Sequence, residues 1–126
     1  MPALVKDMLS SAHEAVPKIS IEEARRLIDE EGALLLDVRD APELAQSGQL
    51  RGAVNVSRGM LEFRADETMP SHNREFSRER PVILYCASGG RSALSGKVLR
   101  EMGYQRVYNL GSFRDAVEAG FPAEEV

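Results

Sequence analysis

Two patterns of apolar residues alternate along this chain: short apolar runs, and segments in which apolar residues recur at helical spacing. Apolar runs occupy residues 33–38, 52–56 and 81–86, and such runs are typical of strands covered on both faces; "RVYNL" at 106–110 predicts a further short strand. Helical spacing lies between them, as in "ISIEEARRLIDEEG", where Ser20 and Glu23 have the spacing of a capping box. This alternation of strands and helices predicts an α/β fold with a mainly parallel sheet.

Two segments stand apart from this alternation. Residues 1–17 carry a single apolar stripe at helical spacing and end at Pro17, which predicts a helical extension before a main domain of residues 18–126. We expect this helix to pack on the domain, and the alternative is a contact with a second copy or a partner. Residues 57–80 are long for a connection, and "RGMLEF" within them predicts a short helix.

Composition and charge narrow the classes of function. The chain has 126 residues, and 43% of them are hydrophobic, which is ordinary for one globular domain. The net charge of −4, without a basic block, argues against nucleic acid as the main partner. No apolar run is long enough to span a membrane, and no secretory signal is evident, so a cytoplasmic location is expected. One cysteine and two distant histidines have no metal-ligand spacing, and we expect neither a metal nor another cofactor.

The single cysteine, Cys86, ends the most apolar predicted strand. Two glycines and Arg91 follow in "CASGGRSAL", and a helix is predicted to begin at or just after Arg91. In open α/β sheets ligands bind beyond the carboxyl ends of the strands. A glycine-containing loop before a helix can direct several N–H groups toward one centre, which favours a thiolate and therefore a nucleophile. The alternative is that Cys86 is a small buried apolar residue without chemistry.

Three ordered motifs at this point resemble the rhodanese (sulfurtransferase) family. They are "LLLDVRDAPELAQSGQLRGAVNV", "VILYCASGGRSAL" and "GYQRVYNLGSFRDAVEAGFP", and the resemblance spans residues 18–122. It implies a single-domain rhodanese fold, with a central parallel sheet of about five strands and helices on both faces.

The resemblance also implies a two-step reaction. The Cys86 thiolate would take the outer sulfur of a donor such as thiosulfate, and the resulting persulfide would pass it to cyanide or a cellular thiol. A sulfur-carrier protein is a further acceptor, and the chain is expected to act as a monomer or a homodimer. Ala87 stands where many thiosulfate-using members carry a basic residue, which weakens the case for thiosulfate as the natural donor.

The candidate site residues fall into three groups by their expected roles. Arg91 has two interpretations of similar weight: it binds an anionic donor or braces the loop, or it pairs with a carboxylate at the helix start. Asp37 is expected to accept main-chain N–H groups, and Arg39 to pair with Glu43. The catalytic residue is Cys86; the substrate-binding residues are Ala87, Ser88, Gly89, Gly90, Arg91, Ser92 and Arg58; the supporting residues are Asp37, Arg39 and Glu43.

Three functions of other classes compete with sulfur transfer. A phosphatase or arsenate reductase of the same fold needs five residues between cysteine and arginine, whereas four lie between Cys86 and Arg91. A response-regulator receiver with Asp37 as its phosphorylated residue would need more acidic residues near its first strand. A non-catalytic module that binds a partner or senses redox state is the third alternative.

Overall fold

The computed structural model describes residues 2–126, and its helices pack on both faces of a parallel sheet. The helices are α1 (Val5–Ala15), α2 (Ile21–Glu31), α3 (Ala41–Ser47), α4 (Leu61–Ala65), α5 (Gly90–Glu101) and α6 (Phe113–Glu118), with a 3-10 turn at Arg58–Met60. The strands are β1 (Leu34–Asp37), β2 (Gln49–Leu50), β3 (Val54–Asn55), β4 (Val82–Cys86), β5 (Val107–Ser112) and β6 (Ala123–Glu124). The predicted α/β class is confirmed.

The main sheet has four parallel strands in the order β3-β1-β4-β5. Every residue of β1 and β4 is buried, because these two central strands are covered by helices on both sides. This explains why their sequences are continuous apolar runs rather than alternating ones. The carboxyl ends of β1 and β4 therefore lie side by side and bring Asp37 and Cys86 to the same edge.

The expected count of about five strands is wrong for this sheet. Residues 17–19 run beside β5, where Asn109 exchanges main-chain hydrogen bonds with Pro17 and Ile19 and forms a single bridge with Lys18. They occupy the place of a fifth strand, but α2 begins at Ile21 and stops the pairing after one bridge. β2 and β6 pair with each other in a separate antiparallel sheet.

Two apolar cores lie on opposite faces of the main sheet. In the first, the buried side chains of α4 and α5 and Val16, which follows α1, pack against Leu36, Leu84 and Val107 of the strands. In the second, α2 and α6 cover Leu35 and Ile83. Successive strand residues point to opposite faces, so β4 sends Cys86 to the first core and its neighbour Tyr85 to the second.

The N-terminal helix α1 packs against α5, as the preferred interpretation of its apolar stripe expected. Ala12 within α1 and Val16 just after it are fully buried, whereas Leu4, Val5 and Met8 are exposed. The predicted helix in the long connection is present as the 3-10 turn followed by α4. In the part of the chain that the structure describes, no helix combines the length and apolarity that crossing a membrane requires.

Candidate active site

The loop after β4 is a tight turn that leads directly into a helix. β4 ends at Cys86 and α5 begins at Gly90, one residue before the expected start. Gly89 has a φ of 100° and a ψ of −10°, in the left-handed region that a glycine adopts without steric cost. This conformation turns the chain back over Cys86 and places the first turn of α5 beside its side chain.

The Cys86 sulfur accepts hydrogen bonds from the main chain of this loop. The Gly89 N–H donates to Sγ at 3.0 Å and the Ser92 N–H at 3.4 Å. The Ser92 hydroxyl oxygen lies 3.5 Å from Sγ. The amino end of α5 also presents its partial positive charge to the same atom. The loop is thus an anion-binding cradle whose occupant is the protein's own sulfur.

These hydrogen bonds and the burial of the thiol change its pKa in opposite directions. Burial raises the pKa of the Cys86 thiol, because a buried anion loses its hydration. The Ser92 hydroxyl and the main-chain N–H groups of Ser92, Gly89 and Ser88 lower it by a larger amount, so the pKa lies below its ordinary value. The geometry therefore favours the thiolate form of Cys86 more than in a free cysteine.

The Cys86 side chain is fully buried. Its neighbours are not all hydrocarbon, because the hydrogen bonds of Gly89 and Ser92 end on the sulfur. Ala87 and Ser88, the two residues between the sulfur and solvent along the loop, are exposed.

Arg91 is held by a carboxylate. Its guanidinium forms two hydrogen bonds of 2.8 Å with the two carboxylate oxygens of Glu43, in the bidentate arrangement that arginine favours. The Arg91 guanidinium and the main-chain N–H of Asp40 hold the pKa of Glu43 down at about 2. The structure shows the carboxylate pair of the second interpretation, and because Glu43 lies on α3 the same pair also braces the loop, as the first interpretation allowed.

The expected pair between Arg39 and Glu43 is wrong. Arg39 instead binds Asp37, with Nη2 2.7 Å from Oδ2, and Asp37 also accepts the Arg39 N–H at 2.9 Å. Both residues are buried. The Arg39 guanidinium carbon lies 4.4 Å from the centre of the Phe113 ring and 5.6 Å from that of Tyr85. Arg39 pairs with a carboxylate that lies only two residues earlier in the chain, and Glu43 pairs with Arg91.

Two remaining candidates lie near the same edge of the sheet. Arg58 forms an ion pair of 2.9 Å with Glu62, one helical turn away, so its charge is partly neutralised. Ala87 lines a cleft of about 250 Å³ together with Phe113 and Arg114. A larger cavity of about 510 Å³ lies between α3 and residues 123–126, away from the loop, and no residue of the Cys86 loop lines it.

Asn109 is a site residue that the sequence reasoning missed. Its Oδ1 lies 2.8 Å from the Ser92 hydroxyl oxygen, and its Nδ2 donates to the Gly89 carbonyl at 3.3 Å. The only signal in the sequence is a polar residue at an inward position of the strand "RVYNL". Inward asparagines also occur in ordinary turns and bulges, so this signal alone does not point to Cys86.

Comparisons with known proteins show which family and which structures this chain is similar to. Residues 20–119 match the family model of the rhodanese-like domain. The chain is 32% identical over 111 residues to the thiosulfate sulfurtransferase GlpE of Actinobacillus succinogenes, which is 87% of this chain and 92% of that protein.

Two solved structures are similar over nearly the whole chain. A Rhodopseudomonas palustris protein of unknown function, a "possible tyrosine phosphatase", has a TM-score of 0.86 and 31% identity, with 98% of this chain and 99% of that chain covered. The polysulfide-sulfur transferase homodimer from Wolinella succinogenes has a TM-score of 0.75 and 30% identity, with 96% and 87% covered. The family match contains every element from α2 to α6.

Proposed function

This chain belongs to the rhodanese-like domain family, and from that premise we propose that it is a sulfurtransferase that carries sulfur as a persulfide on Cys86. The observation that supports this proposal best is the convergence of the Gly89 and Ser92 N–H groups on Sγ. Fixed dipoles aimed at one atom stabilise negative charge there without reorganisation. The thiolate places negative charge at this atom before the first step, and the charge returns to the same atom when the S–S bond breaks in the second step.

The first step is a displacement at sulfur. The Cys86 thiolate attacks the outer sulfur of a donor such as thiosulfate, and a new S–S bond forms. The S–S bond within thiosulfate breaks, and sulfite leaves with its electron pair. No proton moves in this step when the thiolate is the attacking form, and the lowered pKa of Cys86 favours that form.

The second step returns the enzyme to its starting state. The carbon of cyanide, or the sulfur of a thiolate, attacks the outer sulfur of the persulfide. The S–S bond to Cys86 breaks and its electron pair returns to Sγ as the thiolate. When cyanide is the acceptor, the product is thiocyanate. When a thiol is the acceptor, the product is the persulfide of that thiol.

The other residues act as support in this scheme. The main chain of the loop, from Ala87 to Ser92, surrounds the transferred sulfur. The Arg91–Glu43 pair braces the loop against α3, and the Asp37–Arg39 pair stabilises the turn after the neighbouring strand. Arg58 adds charge near the entrance, reduced by its ion pair with Glu62.

The donor is the finer part of the proposal. Thiosulfate is a dianion, yet Ala87 offers it no charge and Arg91 is already bound to a carboxylate. We therefore expect an organic persulfide, which carries less charge, to load Cys86 faster than thiosulfate does. The similar Wolinella protein is a polysulfide-sulfur transferase, which supports a sulfane donor other than thiosulfate.

Mass spectrometry of the intact protein tests the proposal. Wild type is incubated with an organic persulfide, polysulfide or thiosulfate, and Cys86→Ser, which keeps the size of the side chain, is the matched control. We expect one sulfur atom to be added to wild type only, and to be lost on addition of cyanide with formation of thiocyanate. If no donor adds sulfur to wild type, or the serine variant takes up the same amount, the proposal is wrong.

Phosphoryl transfer is the second candidate, because a similar solved structure is a "possible tyrosine phosphatase". It requires an arginine that is free to hold the phosphate, whereas Arg91 is bound at two points to Glu43. Hydrolysis of an aryl phosphate by wild type, lost in Cys86→Ser, would favour this function. We expect no such hydrolysis above the level of the variant.

A further inference from the structure

Asn109 is a buried polar residue on the face of β5 that packs against α5. It is 1% exposed, and it shares its face with Val107, two residues earlier on the strand. Its main-chain N–H and carbonyl are already bonded to Pro17 and Ile19. A strand at this place needs no amide side chain, and burying one without partners costs about 1–3 kcal/mol. The side chain must therefore be explained by what it contacts.

The Asn109 amide joins two residues of the active loop. Its Oδ1 accepts from the Ser92 hydroxyl across 2.8 Å, and its Nδ2 donates to the Gly89 carbonyl across 3.3 Å. Gly89 and Ser92 are the same two residues whose main-chain N–H groups donate to the Cys86 sulfur. One side chain on the neighbouring strand thus holds both of these donors.

This link matters because of the backbone at Gly89. A glycine has no side chain to restrict its backbone, so the left-handed conformation of Gly89 is one of several that it can adopt, and contacts with neighbouring groups select it. The Gly89 N–H belongs to the peptide before its Cα, and the Gly89 carbonyl belongs to the peptide after it. The Asn109 amide at 3.3 Å and the Ser92 hydroxyl at 3.1 Å contact this carbonyl, and they thereby fix the Gly89 Cα from which the N–H is directed at the sulfur.

We propose that Asn109 is a positioning residue for sulfur transfer, which keeps Gly89 and Ser92 directed at Cys86. This inference rests on the proposed function of the loop. Asn109 touches no reacting atom; it acts through the two residues that stabilise the anionic sulfur. Its loss is expected to weaken the preference for the thiolate while the fold persists.

The pH dependence of Cys86 alkylation by iodoacetamide tests this role. Asn109→Leu removes both polar contacts at similar volume, and Val107→Ala is the control, a buried change on the same face of β5. We expect the alkylation midpoint of Asn109→Leu to rise by about one pH unit, equivalent to about tenfold less thiolate below the midpoint. Val107→Ala is expected to be destabilised but to keep the wild-type midpoint. The charged pairs nearest the loop, Arg91–Glu43 and Arg39–Asp37, are unchanged in both variants.

Two further measurements separate positioning from a purely structural role. In a Ser92→Ala background, Asn109→Leu should shift the alkylation midpoint by less than it does alone, because part of the effect of Asn109 acts through the Ser92 hydroxyl. If Asn109→Leu does not fold, Asn109→Ser and the side-chain amide NMR signals of wild-type Asn109, followed across the thiol titration, replace it. The proposal is overturned if the alkylation midpoint of the folded variants equals that of wild type, or if the Asn109 amide signals do not change as the Cys86 thiol titrates.

The outcome is independent of whether sulfur transfer is the function. Alkylation needs no sulfur donor, so a shifted midpoint supports the role of Asn109 in directing the cradle even if no donor loads Cys86. An unshifted midpoint together with normal sulfur loading rejects Asn109 and leaves the proposed function intact.

Discussion

The Ser92 hydroxyl is expected to lower the pKa of the Cys86 thiol. The variant Ser92→Ala tests this, because it removes the hydroxyl and keeps the Ser92 main-chain N–H. A hydrogen bond to a charged group contributes about 1.5–3 kcal/mol. The O···S separation of 3.5 Å and the competing 2.8 Å contact of the same hydroxyl with Asn109 Oδ1 place this hydrogen bond at the weak end of that range. Because 1.36 kcal/mol corresponds to one pKa unit, we expect the thiol pKa to rise by about one unit.

Ser95→Ala is the matched control for this experiment. Ser95 is as buried as Ser92 and lies on the same helix, but its hydroxyl donates to the Arg91 carbonyl at 2.7 Å and does not contact the sulfur. Both changes remove a buried hydroxyl from α5, so their general effects on the helix are comparable. Only Ser92→Ala should move the titration of Cys86.

The assay is the rate of iodoacetamide alkylation as a function of pH. A midpoint about one unit higher means about tenfold slower alkylation at any pH below both midpoints. Sulfur loading should slow in parallel, because the same thiolate is the nucleophile. If Ser92→Ala and Ser95→Ala both titrate at the wild-type midpoint, the hydroxyl does not stabilise the anion and the argument from the cradle fails.

Three other outcomes follow from the packing around the site. Glu43→Gln should lower the free energy of unfolding by about 1 kcal/mol, the upper end for a half-exposed ion pair. Because the pKa of Glu43 is depressed to about 2, this difference should be full at neutral pH and vanish as the pH falls from about 4 toward 2, which urea unfolding at several pH values would detect. Gly96→Ala should destabilise by about 1–2 kcal/mol, since its Cβ would lie 2.9 Å from a Val16 methyl, whereas Gly59→Ala, with open space, should be neutral in the same assay. Because Cys86 is fully buried, a bulky aromatic disulfide should modify it far more slowly than iodoacetamide does; equal rates would contradict the observed burial.

Much of the fold was predictable because it depends on local patterns. The run predicted at 81–86 is β4 at Val82–Cys86, and the capping-box spacing of Ser20 and Glu23 precedes α2, where Glu23 N–H donates to the Ser20 hydroxyl. Such signals involve residues within one turn or one strand. The strand count was wrong because residues 17–19 pair with β5 for only one bridge, a matter of how far α2 reaches and not of local propensity.

The sequence by itself determined that a lone thiol ends a buried strand before a glycine loop and a helix, since each of these features is set by neighbours along the chain. Only the tertiary structure decided which carboxylate each arginine binds and where Asn109 points. Glu43 and Arg91 are 48 residues apart, and Asn109 reaches Ser92 across 17. Contacts at such separations exist only after α3, β5 and α5 have packed around β4, because the side-chain geometry depends on all of these elements together.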